Sequence, residues 1–416
     1  MRSFANLFLI LFVADGGFSL VDELVPLLFP LAPFTGLRLL LAGVVIVMAV
    51  PLYFSLGIDS RLPKRVFLPL IAFTLFCPLL TWFFPALADM RAFGLLAAVV
   101  QVLLGMLPLL CFRNGGHRSL TMPTELFAAP FFSFRNTLLF GAASLAVVPL
   151  VLSIYLLSIT DAYMAEHTAG FMRLEPGGLR MTERIYRRDN RTIRLAAMIH
   201  VGNREYYDEL SSSIAAGRIV VLAEGVSDAG KLLRNRIDYG RVAGFLGLVS
   251  QQEMRFSGRL IEEDELESPR PDPPDEEGGK AAEQPDILRA DVDVSAFRPQ
   301  TLLFLDAVGK HLGESPSFIK GVVALNSWGE KNITPEMHAV IMDDILHRRN
   351  MAVIRHLDQA LERYDTVVIP WGALHMKEIE AEVMKRGFRL QEERQRVSID
   401  FLKLLQGHSS KLSAGI

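Results

Sequence analysis

Up to about residue 160 the chain is a succession of long apolar runs with short polar breaks; beyond it, short apolar runs alternate with charged stretches. Four runs, 34–58, 66–87, 93–112 and 137–159, are each long enough to cross a hydrocarbon core of roughly 30 Å as a helix. A less regular fifth, 4–31, carries Asp15, Asp22 and Glu23. It reads as a complete span, with a broken span, a re-entrant hairpin or an interfacial helix as the alternatives. A cleaved signal peptide is not expected, because the preceding charge is Arg2 alone and further spans follow. The pattern therefore predicts a membrane region over 1–160 with four to five transmembrane helices.

Lysine and arginine in short loops stay on the cytoplasmic side. Arg61, Lys64 and Arg65 lie between the second and third of these four-to-five segments counted from the N-terminus, and Arg113, Arg118 and Arg135 lie before the last. With both loops inside, the last span runs outward. The chain is expected to be a multi-pass integral membrane protein, with residues 161–416 outside the cytoplasm. Five spans with a cytoplasmic N-terminus satisfy the same arithmetic.

In the second region, "GLRMTERIYRRDNRTIRLAAMIHVG" predicts a β-hairpin turning at Asp189 and Asn190, with its second strand running into His200. A helix over 205–216, closed by Gly217, and a strand "RIVVLAE" ending in Glu224 follow. Residues 262–286 hold eleven acidic residues, five prolines and two glycines, the composition of a disordered surface insertion. Helices are expected over 298–312 and 334–364, then the strand "TVVIPW", a helix over 377–386 with Gly387 behind it, and a last strand.

Two of these apolar strands lead into a histidine, His200 and His375, and a third ends in Glu224. In a strand, helix, strand unit both strands present their C-terminal ends at one sheet edge. Were the strands of His200 and Glu224 neighbours, the two side chains would lie about one strand spacing, roughly 5 Å, apart. That edge is where ligands sit in open α/β sheets. Two histidines and a carboxylate there suit a first-row divalent metal with open positions for water, making His200, Glu224 and His375 the candidate ligands. A histidine at a strand end is by itself commonly a hydrogen-bonded loop residue. A carboxylate ending an apolar strand is harder to dismiss, since its burial needs a partner or a cation. His338, His347 and His356 lie in polar helical segments and are expected at the surface.

Composition narrows the field. Half of the 416 residues are hydrophobic and the mean hydropathy is +0.29, which fits a membrane region. A net charge of −3 does not suggest nucleic acid as partner. Cys77 and Cys111 both fall in apolar runs, so no disulfide framework or cysteine metal site is expected. "GVSDAGKL" nearly fits a phosphate-binding loop, but Leu232 stands where serine or threonine would hold magnesium.

The motifs resemble those of the TraB, GumN and TIKI group within the erythromycin-esterase-like superfamily. "AMIH" is similar to its first histidine motif, with Ala197 in place of glycine; "LAEGV" resembles its glutamate motif, and "RADVDVSAF" its Asp-rich segment, with Asp291 and Asp293. "RRNMAVIRHL" looks like its arginine motif, with Arg349 and Asn350, and "GALH" matches its second histidine motif, with Gly372 and His375. The likeness covers about 181–390. It implies an α/β domain with a mixed, partly parallel sheet built from two related halves. Joined to the apolar segments, which it does not cover, it points to a membrane-anchored, metal-dependent, peptidase-like hydrolase whose substrate is a peptide or small acyl compound near the bilayer. His200, Glu224 and His375 would hold the metal or a catalytic water, Glu224 acting as ligand or general base, and Arg349 would stabilise negative charge on a cleaved carbonyl. The alternative is a non-catalytic peptide-, metal- or haem-binding protein of the same fold. A third reading makes the domain a relic beside a signalling or scaffolding membrane region.

Overall fold

The computed structural model describes residues 1–27, 29, 31, 33–88, 90–114, 117–214, 217–254, 256–267, 284–404 and 406. The chain divides into two compact units, Met1–Ile159 and Thr160–Ile416.

The first unit is helical: α1 (Arg2–Leu24), α2 (Thr35–Ile58), α3 (Lys64–Phe83), α4 (Arg91–Cys111) and α5 (Phe134–His167), the last counted in this unit as far as Ile159, with a short hairpin of β1 (Arg113–Asn114) and β2 (His117–Arg118) after α4. All five helices are long and apolar enough to cross a membrane. The irregular first segment is one uninterrupted helix because its polar residues face inward: Asp15, Ser19 and Asp22 are buried, at spacings that share one helix face. Phe8, Phe12, Leu52, Leu56 and Phe67 form the core. Glycine lets α1 and α4 approach, since a Cβ on Gly105 would lie 2.4 Å from Val13 Cγ2. The N-terminus and two basic loops gather at one end. There the Arg2 Nε donates to the Met122 carbonyl at 2.9 Å, Ser60 N donates to the Phe131 carbonyl, and the Arg61 guanidinium lies over the rings of Phe127 and Phe131. Near the other ends of α1 and α2, Asp22 accepts from the Phe34 N–H and the Thr35 hydroxyl, and Glu23 pairs with Arg38.

The second unit is an α/β fold. Its elements in chain order are β3 (Met172–Glu175), β4 (Gly178–Arg188), β5 (Arg191–Met198), β6 (Val201–Gly202), α6 (Arg204–Ser212), β7 (Ile219–Ala223), α7 (Tyr239–Leu246), β8 (Val249–Ser250), β9 (Arg259–Ile261), α8 (Glu263–Glu267) and β10 (Asp286–Arg289). There follow α9 (Pro299–Glu314), α10 (Phe318–Asn332), α11 (Pro335–Met342), a π-helical turn Asp343–Arg348, α12 (Arg349–Arg363), β11 (Thr366–Gly372), α13 (Ala373–Lys385) and β12 (Arg389–Asp400). The main sheet is mixed, in the order β12-β4-β5-β11-β7-β10-β9, with β3 beside β4. The strands from β5 to β9 run parallel; β3, β4 and β12 supply the antiparallel edge. The central strands read as nearly continuous apolar runs because both faces are covered. Leu195, Leu222, Ile369 and Trp371 join the large core with Val353 and Leu357 of α12 and Met376 and Ile379 of α13. Val221, Ile287 and Val368 point the other way into a smaller cluster.

The hairpin turns at Asp189, φ +52°, with Arg188 opposite Arg191. Several local expectations are corrected. Helix α6 ends at Ser212; Ala216, its expected end, lies outside the described residues, and Gly217, at φ +147°, leads into β7 instead of capping the helix. Within the expected acidic insertion, Glu263–Glu267 form α8 and β10 begins at Asp286, while 268–283 lie outside the described residues. His356 is buried, its Nδ1 on the Ala352 carbonyl and its Nε2 3.2 Å from Glu263, because it sits on the same apolar stripe of α12 as Val353 and Leu357. The near P-loop is not followed by a helix until Tyr239.

Candidate functional site

Strands β5 and β7 are not neighbours: β11 lies between them. The connection from β5 through α6 to β7 skips a position, and the much later β11 fills it, pairing with β5 on one side and β7 on the other. His200 and Glu224 are thus two strand spacings apart, roughly 10 Å measured strand to strand. All three strands still end at the same sheet edge, because all are parallel. His375 is not at the strand end either. The strand stops at Gly372, and His375 occupies the first turn of α13.

Four segments meet at this edge. Glu224 follows β7, Asp291 follows β10, Arg349 and Asn350 open α12 directly after the π turn, and His375 lies in α13. A π turn shifts the register of the helix that follows, a feature common where side chains must be aimed inward. Arg349 and Asn350 are both buried.

The Arg349 guanidinium is the hub. Its Nε and Nη2 donate to the two oxygens of Asp291 at 3.0 and 2.7 Å, Nη2 also donates to Glu224 Oε1 at 2.7 Å, and Nη1 donates to His375 Nε2 at 3.2 Å. Four of its five N–H groups are engaged. The other Glu224 oxygen accepts the Gly372 backbone N–H at 2.7 Å, close to the positive end of the α13 dipole. Asp291 also accepts the backbone N–H groups of Gly225 and Val292. Trp371 walls the cluster, its indole N–H on the Leu222 carbonyl, the guanidinium over its ring and His375 at its edge.

This network dictates the tautomer of His375. Arginine only donates, so Nε2 must accept and the ring is neutral, with its proton on Nδ1. That proton goes to Asn350 Oδ1 at 2.7 Å, and Asn350 Nδ2 donates to Glu378 Oε2 at 2.6 Å. Glu378 takes a further hydrogen bond from Nδ1 of the exposed His347. Burial, joined by the Arg349 charge, pushes the His375 pKa down to about 4 against the opposing pull of Glu224 and Asp291. Burial would raise the Glu224 carboxyl, but the charge and hydrogen bond of Arg349 chiefly hold it below the usual carboxylate range. Arg349 is itself driven upward, the bonds and charges of Asp291 and Glu224 outweighing its burial.

His200 is placed differently. It is exposed, its ring stacks on Tyr239 with centroids 4.5 Å apart, and Nδ1 meets Gln251 Oε1 at 2.8 Å. With that amide oxygen accepting, the proton is on Nδ1 and Nε2 is the basic atom. The arrangement is an inner group of Glu224, Arg349, His375, Asp291 and Asn350 with His200 at the solvent side.

Asp293 stays outside that group. It accepts from the Ser227 hydroxyl and the backbone of Ala229 and Ser295, tying the loop after β7 to the loop after β10, and those bonds hold its carboxyl well below the usual range. Tyr239, Gln251 and Glu378 escaped the sequence reading. Tyr239 and Gln251 belong to short elements whose sequence gives no sign of His200, and are brought to it by the β6–β8 pairing and by the bond from Gln251 N to the His200 carbonyl. Glu378 carried one signal: it sits three residues after His375 on the same helix face.

As arranged, these residues do not fit a divalent metal. Glu224 Oε1 and His375 Nε2 are 3.7 Å apart, close enough to share an ion, but the guanidinium already takes the lone pair of His375 and one of Glu224 that the ion would need. A second cation beside it would be repelled. Among the described residues no group of three His, Cys, Asp or Glu side chains is placed to hold a metal ion. No family model, curated protein or solved structure matches the chain.

Proposed function

We propose that the α/β unit is a peptidase-like hydrolase of the TraB, GumN and TIKI kind, built of two related halves and acting outside the cytoplasm on a peptide or small acyl compound near the bilayer. One observation carries this reading. Five segments far apart in the chain, those of His200, Glu224, Asp291, Arg349 and His375, converge on the C-terminal edge of the parallel strands, where ligands bind in such sheets. The repeated use of a strand leading into a histidine and a helix, by β5 and by β11, supports the two halves. The gathering of Arg2, Arg61 and the loop before α5 at one end of the helical unit supports a cytoplasmic N-terminus and five crossings.

In this mechanism His200 Nε2 takes a proton from water as its oxygen bonds to the substrate carbonyl carbon. The remaining Nη1 proton of Arg349 is the donor for the carbonyl oxygen as charge develops. His200 then returns its proton to the leaving nitrogen or oxygen as that bond breaks. Glu224, Asp291 and His375 hold the guanidinium in place.

The full-length protein in detergent is to be assayed with fluorogenic peptides and esters. His200→Ala, an exposed change that leaves the melting transition in place, should lower turnover by about 10²-fold or more, the scale of general-base catalysis, and Glu224→Gln should also inactivate. Chelators should leave activity unchanged; loss on chelation with recovery on adding zinc would reinstate a metal held by His200, Glu224 and His375. Tight peptide binding without turnover by the wild type would establish the binding reading instead.

A further inference from the structure

Asp15 lies near the middle of α1 and is 7% exposed. Its Oδ2 accepts from Gln101 Nε2 of α4 at 2.8 Å, while its Oδ1 is buried without a hydrogen-bond partner. A carboxylate inside an apolar helical unit is expensive and ordinarily marks a site; one with an oxygen unsatisfied is more so. Asp15 lines a half-open cavity of about 660 Å³ among α1 to α4, within the size range of small-molecule sites. The polar lining follows one face of α1, from Asp15 through Ser19 to Glu23, and Glu23 is paired with Arg38 at 3.2 Å. The remaining wall is mainly apolar, with Val45, Ile46, Phe73 and Phe93 among its residues.

We propose that this cavity binds an amphiphile with a single primary ammonium group, its N–H donated to Asp15 Oδ1 and its apolar body laid against α2 and α3. The charges of the lining favour a cation: Glu23 and Arg38 cancel, leaving Asp15. A bare metal ion is disfavoured, because one free carboxylate oxygen supplies too few ligands. A proton alone would answer the unpaired oxygen but would not use the apolar volume. This site is independent of the hydrolase reading, since every residue in it belongs to the helical unit.

The test is equilibrium binding of labelled decylammonium to the full-length protein in nanodiscs of zwitterionic lipid, measured against empty discs and in competition with decanol. Saturable binding of one decylammonium per chain is expected, with decanol competing at least about tenfold more weakly, the factor carried by a hydrogen bond to a charged group. Asp15→Asn should weaken binding by a similar factor. No saturable binding above empty discs, or equal competition by decanol, would overturn the proposal on the wild-type protein alone. So would undiminished binding by a folded Asp15→Asn protein.

Discussion

Glu224 in the α/β unit and Asp15 in the helical unit are both carboxylates withdrawn from water, and their surroundings differ in kind. Both oxygens of Glu224 are bonded, one to Arg349 and one to the Gly372 N–H, and Asp291 shares the same guanidinium. Asp15 has one bonded oxygen and one bare one. A buried charge is tolerated when the fold supplies its counter-charge and hydrogen bonds. In the α/β unit the compensation is internal, supplied by Arg349 and the Gly372 N–H. In the helical unit it is incomplete, and the residue with the unpartnered oxygen lines a cavity.

The comparison breaks most readily at Arg349. Arg349→Met keeps length and apolar bulk and removes the one cation between Glu224 and Asp291. It should destabilise the α/β unit by about 3–5 kcal/mol, as breaking a buried ion network does. Hydrogen exchange of the β7 and β11 amides in the full-length protein would report it. A loss under about 1 kcal/mol would mean that water or another cation reaches the cluster, and that its compensation is not internal. Arg349→Lys should recover little, since an ammonium cannot make the forked bonds to Asp291.

Acid sharpens the comparison next. His375 is depressed to about 4 in the folded chain from an ordinary 6.5. The unfolded state therefore binds a proton first as pH falls, so the stabilisation is complete above pH 6.5 and is lost as pH drops towards 4. The loss should be on the order of 3 kcal/mol, seen as faster exchange in β11 and α13, and His375→Gln should flatten the profile in that window. Glu224, also depressed, adds its own loss at still lower pH, as the proton enters its folded-state carboxylate.

How far the sequence reached follows the same division. Strand-end positions were legible, because an apolar run that stops at His200 or Glu224 announces burial next to a polar group. The order of strands was not, since nothing in "IVVLAE" says that β11, from far along the chain, inserts beside it. The site residues named from the sequence lie on helices or within two residues of a strand end; Gln251, in a short turn, left no periodicity to read, and the apolar spacing of Tyr239, Val242, Ala243 and Leu246 says nothing of His200. His356 was misjudged because its helix is polar by count, whereas burial follows the stripe shared with Val353 and Leu357. In α1 the acidic residues looked like interruptions. Only tertiary packing discloses that they share an inward face, and that Gln101 answers one oxygen of Asp15 and not the other.

The smallest effect is also the most direct contrast: the same chemical change, carboxylate to amide, made in each unit. Glu224→Gln removes a charge-assisted bond to a buried guanidinium and should destabilise by about 2 kcal/mol. Asp15→Asn keeps an oxygen for Gln101 and replaces a bare carboxylate oxygen with a neutral N–H, which is less costly to keep from water. In protein free of added amphiphile, thermal denaturation of Asp15→Asn should therefore show unchanged stability or a gain of about 1 kcal/mol. A loss is expected for Glu224→Gln and none for Asp15→Asn, and that contrast is more telling than either magnitude. If Asp15→Asn were as damaging as Glu224→Gln, the carboxylate of α1 would be a structural member held by more than Gln101, and the cavity beside it would lose its claim to a ligand.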